Sequence, residues 1–166
     1  MKKILFIDHV NRILGGAEIN LIELLSLNVV HSHWEVACAL DPTGPLGKSI
    51  SSINTSKKTS SDSDHIKIYN YQLPAGLNEM RVVGKHPLAP ITRMFSAVQA
   101  LGTARRILEE IITDFKPDAI ITIPNKDHIA ASKISQKYQL HHIWWINDIL
   151  SPEFFPLLAR KAFFKA

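Results

Sequence analysis

Short apolar segments that do not alternate with polar residues recur along the chain, and helical patterns or breaks separate them. Continuous apolar strands of this kind are typical of a parallel sheet covered by helices on both faces. Because crossovers between parallel strands are right-handed, the order predicts a doubly wound, Rossmann-like α/β domain over residues 1–166. The predicted strands are Ile4–Ile7, Glu35–Leu40, Ile66–Tyr71, Ala119–Ile123 and His142–Ile146.

Apolar residues at helical spacing predict the main helices. One helix begins at Ala17, and a long one runs over Ile91–Asp114 and ends before Lys116-Pro117, since proline cannot continue a helix. Its buried stripe is expected to comprise Met94, Phe95, Val98, Leu101, Leu108 and Ile112.

Two further segments are assigned from local chemistry. Asp127 is placed to cap a helix that reaches Tyr138. Residues 45–65 are dominated by serine and threonine, and we expect a mobile surface loop there. Asp41, just before that segment, is interpreted as a turn former.

Composition excludes several classes of protein. The only cysteine, Cys38, rules out an internal disulfide framework and a cysteine zinc cluster, and we expect it to be a buried apolar residue. The net charge of +4 comes from scattered basic residues without interleaved aromatic residues, so no nucleic-acid partner is predicted. No apolar run reaches the roughly 18–20 residues of a membrane span.

The loop from Asp8 to Glu18 is the most informative candidate for a ligand site, because ligands bind beyond the carboxyl ends of parallel strands. Gly15 and Gly16 directly precede a helix, where free N–H groups and the absence of Cβ atoms suit a phosphate or a sugar hydroxyl. The alternative is that the two glycines only form a tight turn. His9 could contact acceptor or sugar hydroxyls, although a structural role is an equal alternative.

Other polar residues follow the strands at the same edge. Asn11 lies in the first loop, and Asn125 and Lys126 follow the fourth strand, where the lysine could meet a phosphate on the acceptor side or simply be solvated. The remaining histidines are expected on the surface or in loops, and their spacing predicts no metal site. They include His31, His33, His141 and His142.

Three motifs together resemble GT-B glycosyltransferases of family 4, also called group 1. They are Lys3–Ile7 followed by Gly15-Gly16-Ala17-Glu18 and a leucine-rich helix, the Lys-Pro-Asp step of residues 116–118 into the fourth strand, and Ile143–Asp148 at the end of the fifth. The resemblance covers nearly the whole chain. Asn147 stands where members usually carry histidine, and asparagine cannot titrate near neutrality.

The resemblance implies a retaining glycosyltransferase of the hexosyltransferase type that moves a sugar from a nucleotide sugar to a sugar or lipid-linked acceptor. No metal or other cofactor is expected. Gly15, Gly16, Asn147 and Asp148 would contact the donor's phosphate or sugar, and His9, Asn11, Asn125 and Lys126 would lie on the acceptor side.

GT-B enzymes have two Rossmann-like domains, and residues 1–166 correspond to the N-terminal one, without its final strand. We therefore expect that this chain alone is inactive and that a C-terminal domain, either in the same polypeptide or as a separate subunit, helps to bind the nucleotide sugar. The usual roles of the family's members suggest polysaccharide biosynthesis in the cytoplasm, with peripheral contact to the inner face of the membrane. The segments 81–106 and 153–165 combine aromatic or apolar residues with cations and could make that contact.

Two other functions stay open from the sequence. The first is a non-catalytic Rossmann-like module that binds a ligand or a partner, which the missing half and Asn147 favour. The second is a nucleotide- or NAD-binding domain, against which the absence of the G-x-G-x-x-G fingerprint argues.

Overall fold

The computed structural model describes residues 1–10, 15–56, 65–73 and 89–146, without the side chains of residues 56, 89–95, 97 and 125. Strands and helices alternate along this part of the chain. They are β1 (Lys2–Ile7), α1 (Gly16–Ser26), α2 (Asn28–His33), β2 (Trp34–Leu40), α3 (Pro45–Ser56), β3 (Lys67–Asn70), α4 (Ala89–Phe115), β4 (Ala119–Thr122), α5 (Asn125–Lys137) and β5 (His141–Trp144).

The described strands form one parallel sheet in the order β3-β2-β1-β4-β5. In the register of the sheet, Ile7 at the end of β1 lies between Ala39 of β2 and Thr122 of β4. The chain winds in one direction from β1 to β3 and in the other from β4 to β5. The predicted Rossmann-like fold is confirmed, and its topological switch point lies between β1 and β4.

Alternating side chains of the strands build two separate cores, one on each face of the sheet. Leu5 and Ile7 of β1 are fully buried in the core under α4 and α5. Phe6, between them, belongs to the opposite core with Leu21 of α1 and Ile50 of α3. Because both faces are covered, the strands need apolar residues at successive positions, which is the pattern seen in the sequence.

The predicted helix end after residue 114 is confirmed. Helix α4 ends at Phe115, and Lys116 adopts a φ of 54°, while its N–H donates to the Ile112 carbonyl at 2.8 Å. This left-handed residue followed by Pro117 stops the helix. Cys38 is buried, as predicted.

The predicted turn at Asp41 is also confirmed. The Oδ1 atom of Asp41 accepts hydrogen bonds from the N–H and the hydroxyl of Thr43, at 2.9 and 2.7 Å. A side chain that binds the backbone two residues on is the usual way in which aspartate forms a turn.

The prediction of a mobile loop over residues 45–65 is wrong for its first half, which forms helix α3. Leu46, Ile50 and Ile53 recur at helical spacing and are buried against the sheet, which stabilises the helix despite its many serines. The hydroxyl of Ser51 donates to the Gly47 carbonyl at 2.8 Å, so the helix satisfies that polar group. Residues 57–64 lie outside the described part.

Gly47 marks a close approach between α3 and the turn that precedes it. A Cβ atom added to Gly47 would lie 2.4 Å from the Asp41 carbonyl oxygen and 2.6 Å from Cα of Pro42. We therefore expect Gly47→Ala to lower the free energy of unfolding by about 2 kcal/mol or more, because backbone atoms must shift.

Gly102, in the interior of α4, is the matched control, since a Cβ atom there would meet no atom of the described part of the chain within 4 Å. Gly102→Ala should raise the free energy of unfolding by about 0.5–1 kcal/mol through helix propensity. Urea denaturation of both variants measures the difference. Equal stability of the two variants would contradict the close approach at Gly47.

The buried stripe of α4 differs in part from the prediction. Val98 is 65% exposed and Leu101 only partly buried, whereas Leu108 and Ile112 are buried as predicted. The side chains of Met94 and Phe95 lie outside the described part. The buried positions of α4 are Ala100, Ala104, Leu108, Ile111, Ile112 and Phe115. The two alanines among them are small residues of low hydrophobicity, so their burial has no strong signal in the sequence. Alanine allows the helix to lie close to the sheet.

Helix α2 was not predicted, and it places His31 in the interior rather than on the surface. The His31 side chain is buried, and its Nε2 atom lies 2.7 Å from the Leu25 carbonyl oxygen. A short helix after α1 thus uses a histidine to satisfy a carbonyl near the end of α1. His33 and His141 are exposed, as predicted.

No helix in the described part is both long and apolar enough to cross a membrane. Of the two segments predicted to contact a membrane surface, 153–165 lies outside the described residues, and 81–106 lies inside them only from residue 89 onward.

Candidate functional site

The carboxyl ends of β1 and β4 are adjacent at the switch point, and polar residues follow both. The N–H of Ile123, after β4, donates to the Ile7 carbonyl at the end of β1, with a distance of 3.2 Å. His9 follows β1, and helix α5 begins shortly after β4 with Pro124 as its N-cap residue. The fold therefore brings His9 beside the first turn of α5.

Asp127, in the first turn of α5, holds His9 through two hydrogen bonds to the same oxygen. Its Oδ2 atom accepts from the His9 N–H at 3.0 Å and lies 2.9 Å from the His9 Nδ1 atom. The His9 side chain is 12% exposed and that of Asp127 is fully buried. The prediction that Asp127 caps the helix is wrong, because its carboxylate is turned toward β1 and α5 has no side-chain cap.

Tyr71 supplies the third hydrogen bond to Asp127. It follows β3, is fully buried, and its hydroxyl donates to the Oδ1 atom of Asp127 at 2.9 Å. Both carboxylate oxygens of Asp127 therefore accept hydrogen bonds, one from His9 after β1 and the other from Tyr71 after β3.

The His9–Asp127 pair has the geometry of a general base with an orienting carboxylate. A carboxylate that accepts from the Nδ1–H of an imidazole fixes the tautomer in which Nε2 carries the lone pair. That atom can then accept a proton from a hydroxyl group of a bound molecule. The two groups meet only in the fold, because 118 residues separate them along the chain.

Asp8 is a buried carboxyl group next to this pair but on the other face of β1. It is 1% exposed, its Oδ1 atom accepts from the Val10 N–H at 2.8 Å, and its Oδ2 atom has no hydrogen-bond partner among the described residues. Burial raises the pKa of Asp8 to about 7, and the nearby carboxylates of Asp127 and Glu18 add to that rise. Asp8 therefore takes up a proton near neutral pH.

The two glycines before α1 differ in what surrounds them. The Gly15 N–H donates to the Oε2 atom of Glu18 at 2.7 Å, and a Cβ atom on Gly15 would lie 2.8 Å from that oxygen. Gly15 is thus explained by the capping carboxylate of Glu18. A Cβ atom on Gly16 would meet no atom of the described residues within 4 Å, so among these residues there is open space at the start of the helix.

The other residues predicted to bind ligand are described only in part. Asn125 and Lys126 are the first two residues of α5, beside Asp127, and Lys126 is half-buried, while the side chain of Asn125 is not described. Asn11, Asn147 and Asp148 lie outside the described residues. The structure therefore brings His9 close to the predicted acceptor-side positions 125 and 126.

The prediction that His142 lies on the surface or in a loop is wrong, because it is half-buried in β5 and belongs to a second polar cluster beneath α5 that the sequence did not predict. The buried hydroxyl of Thr122 lies 2.5 Å from Nδ1 of His128 and 2.9 Å from Nε2 of His142, and the ring of His128 stacks on Trp144 at 4.9 Å. Burial lowers the pKa of both histidines to about 4. They are therefore neutral at physiological pH and bind β4, α5 and β5 together.

A sequence signal existed for two of the missed residues. Tyr71 closes the predicted third strand, so it stands at the carboxyl edge where ligands bind. His128 lies on the same helical stripe as the buried Ala131 and Ser135. Across the parts of the chain that are described, no group of three or more His, Cys, Asp or Glu side chains is placed to hold a metal ion.

No family model and no curated protein matches this sequence. Solved structures of glycosyltransferases share its fold. CalG4, the calicheamicin glycosyltransferase, aligns over 96% of this chain with 14% identity and a TM-score of 0.55. Acinetobacter baumannii MurG aligns over 98% with 11% identity and a TM-score of 0.57. Anabaena Alr3699/HepE, solved in complex with UDP, aligns over 98% with 20% identity and a TM-score of 0.51.

At these identities the similarity establishes the fold alone. The chain spans about a third of the length of these proteins, namely 36%, 38% and 34% of the three chains. Its fold is thus a Rossmann-like domain of the kind found in GT-B glycosyltransferases. This agrees with the fold predicted from the sequence, whereas membership of the GT-B glycosyltransferases, and of family 4 among them, stays a prediction.

Proposed function

We propose that this chain is the N-terminal, acceptor-side half of a GT-B glycosyltransferase that moves a sugar from a nucleotide sugar to a hydroxyl group of an acceptor. The observation that carries the proposal is the His9–Asp127 pair at the switch point of the sheet. Its support is the fold that the chain shares with solved glycosyltransferases. The rest of the enzyme would bind most of the nucleotide sugar.

In the proposed reaction, Nε2 of His9 takes the proton of the acceptor hydroxyl while its oxygen attacks the anomeric carbon of the donor. The bond between that carbon and the diphosphate oxygen breaks, and the nucleoside diphosphate leaves with the bonding electrons. Asp127 keeps its hydrogen bond to Nδ1–H and stabilises the imidazolium ion that forms. The acceptor would lie along His9, Asn11, Asn125 and Lys126.

The donor's phosphate and sugar would face the other predicted residues. No atom of the described residues would meet a Cβ atom on Gly16, which supports a ligand position beside the N-terminus of α1, where backbone amides would stabilise the leaving diphosphate. The Gly15 N–H is occupied by Glu18, so the contribution of this glycine is to the turn. Asn147 and Asp148 stay predicted donor contacts.

As part of the same proposal, no metal is needed, the acceptor is a sugar or a lipid-linked sugar, and the enzyme works at the cytoplasmic face of a membrane.

The stereochemical outcome separates two versions of the mechanism. The resemblance to family 4 implies retention at the anomeric carbon. A base that activates the acceptor for attack opposite to the leaving group gives inversion, and the His9–Asp127 pair favours this version. We therefore propose inversion, with retention as the alternative. Proton NMR of the first product formed distinguishes the two by the anomeric coupling constant.

The function itself is tested with the full-length protein, a panel of nucleotide sugars, and sugar or lipid-linked acceptors. We expect nucleoside diphosphate to be released only when both donor and acceptor are present, and none to be released by residues 1–166 alone. Binding of a ligand without any release, across the whole panel, would favour the alternative of a non-catalytic binding module.

A further inference from the structure

We propose that Tyr71 is a positioning residue that fixes the tautomer and orientation of His9 through Asp127. The inference rests on the proposed function for its catalytic consequence, but the coupling between the three side chains can be measured without any substrate. Its basis is the chain of hydrogen bonds from the Tyr71 hydroxyl to Oδ1 of Asp127 and from Oδ2 of Asp127 to His9.

The carboxylate of Asp127 needs a second anchor to present one oxygen to His9. The terminal torsion of an aspartate side chain has broad minima, so the carboxylate plane is poorly fixed by the backbone alone. A donor on Oδ1 at 2.9 Å fixes that plane and leaves Oδ2 facing both the N–H and the Nδ1 atom of His9.

Tyr71 is itself held rigidly, so it can act as an anchor. Its N–H donates to the Leu40 carbonyl at 2.9 Å, and its ring is fully buried in the core with Leu5, Ile7 and Leu73. Close packing of this kind leaves the ring no room to follow a moving carboxylate. The position of the hydroxyl is therefore set by β3 and the core.

Tyr71 cannot contact the substrate or exchange a proton in the reaction. Its side chain has no exposed surface, and burial, reinforced by Asp127, raises the pKa of its hydroxyl far above the usual range for tyrosine. Its effect on catalysis must pass through Asp127. Removal of the hydroxyl should thus change the rate of the chemical step and leave substrate binding unchanged.

The test is Tyr71→Phe, with Tyr69→Phe as the matched control. Tyr69 lies two residues earlier, on β3, and its hydroxyl donates to Asp114 on the surface at 2.5 Å. In chains labelled with ¹⁵N-histidine, we expect the wild type and the control to show His9 mainly as the Nδ1–H tautomer at neutral to alkaline pH. In Tyr71→Phe, the share of this tautomer should fall at least twofold. A folded Tyr71→Phe protein with unchanged His9 resonances would overturn the proposal.

Loss of a buried hydrogen bond could prevent Tyr71→Phe from folding, so a second substitution decides in that case. Replacement of Tyr71 with 3-fluorotyrosine nearly keeps the ring shape but makes the hydroxyl a stronger donor. The ¹⁵N and ¹H shifts of the His9 ring should then move, and the same replacement at Tyr69 should not move them. Shifts that stay unchanged with fluorinated Tyr71 would overturn the proposal.

Kinetics of the full-length enzyme complete the test. Tyr71→Phe should lower kcat about tenfold with the acceptor KM unchanged, because misorientation of a catalytic group slows chemistry without removing a substrate contact. A change in KM alone would contradict a positioning role. If His9 proves dispensable for transfer while Tyr71 still governs its tautomer, the proposed function fails and the coupling stands. If the tautomer is insensitive to Tyr71 while His9 is essential, the reverse holds.

Discussion

Replacement of His9 with glutamine in the full-length protein is expected to lower kcat for sugar transfer by about 10²–10⁴-fold, the range that a general base contributes. A glutamine amide can still donate to Asp127, but it has no basic nitrogen for the proton of the acceptor. The donor KM should change little, since the proposed donor contacts are other residues. Initial rates of nucleoside diphosphate release with a saturating acceptor measure the effect.

Asp127→Asn tests the same step through the charge of the carboxylate. Its amide oxygen would keep the place of Oδ2, because the backbone N–H of His9 can only donate, and its amide nitrogen would face the Tyr71 hydroxyl, which can accept. The Nδ1–H tautomer of His9 is then kept, but the negative charge that stabilises the imidazolium ion is lost. We expect a loss of kcat no larger than that in His9→Gln, and a double variant no slower than the slower single variant.

His33→Gln is the matched control, because His33 is an exposed histidine at the end of α2. It directly precedes the amino end of β2, whereas the switch point lies at the carboxyl ends of the strands. This variant should keep the wild-type kcat. A His9→Gln enzyme with wild-type kcat would exclude His9 as the base and remove the reason for proposing inversion.

The sheet could be predicted from the sequence because runs of apolar residues mark its central strands. The central strands β1, β2 and β4 are short and mostly apolar, and the ends of all five strands lie within about two residues of the prediction. Helix α3 was missed because serine composition outweighed the spacing of Leu46, Ile50 and Ile53. Burial against the sheet overrides the weak helix propensity of serine, and composition does not record burial.

The site could be predicted only where local chemistry and the strand-end rule agree. His9 met both conditions, since it is polar and follows β1. Asp127 was interpreted through its nearest neighbours as a cap, whereas its real partners are 118 and 56 residues away, at His9 and Tyr71. Such contacts depend on the order of the strands in the sheet, and this order cannot be deduced from the sequence of any single segment.

Asp8→Asn is expected to stabilise the protein increasingly as the pH rises. Burial raises the pKa of Asp8 to about 7 in the folded state, against 3.8 for the ordinary carboxyl group. Between these values the folded chain keeps a proton that the unfolded chain has lost. The free energy of unfolding therefore falls as the pH rises through this interval, by about 1.4 kcal/mol per pH unit. Above the folded pKa, the wild type retains a buried charge whose Oδ2 atom has no described partner.

The neutral amide of asparagine removes this dependence while its oxygen can still accept from the Val10 N–H. The difference in free energy of unfolding between Asp8→Asn and the wild type should rise by about 3 kcal/mol from pH 5 to pH 7.5 and level off above pH 8. This difference must be measured, because His128 and His142 act with the opposite sign. Their lowered pKa values make the wild type lose stability as the pH falls from about 6.5 to about 4.

Both histidines are present in the wild type and in Asp8→Asn, so their contribution cancels in the difference. Asp118→Asn, which removes an exposed carboxyl group before β4, is the control, and its difference from the wild type should not rise as that of Asp8→Asn does. Urea denaturation at each pH supplies the values. A flat difference for Asp8→Asn would mean that Asp8 is ionised throughout this range, and an undescribed group would then have to compensate its buried charge. A rising difference would instead identify Asp8 as a buried group whose ionisation lowers the stability of the fold as the pH rises from 5 to 8.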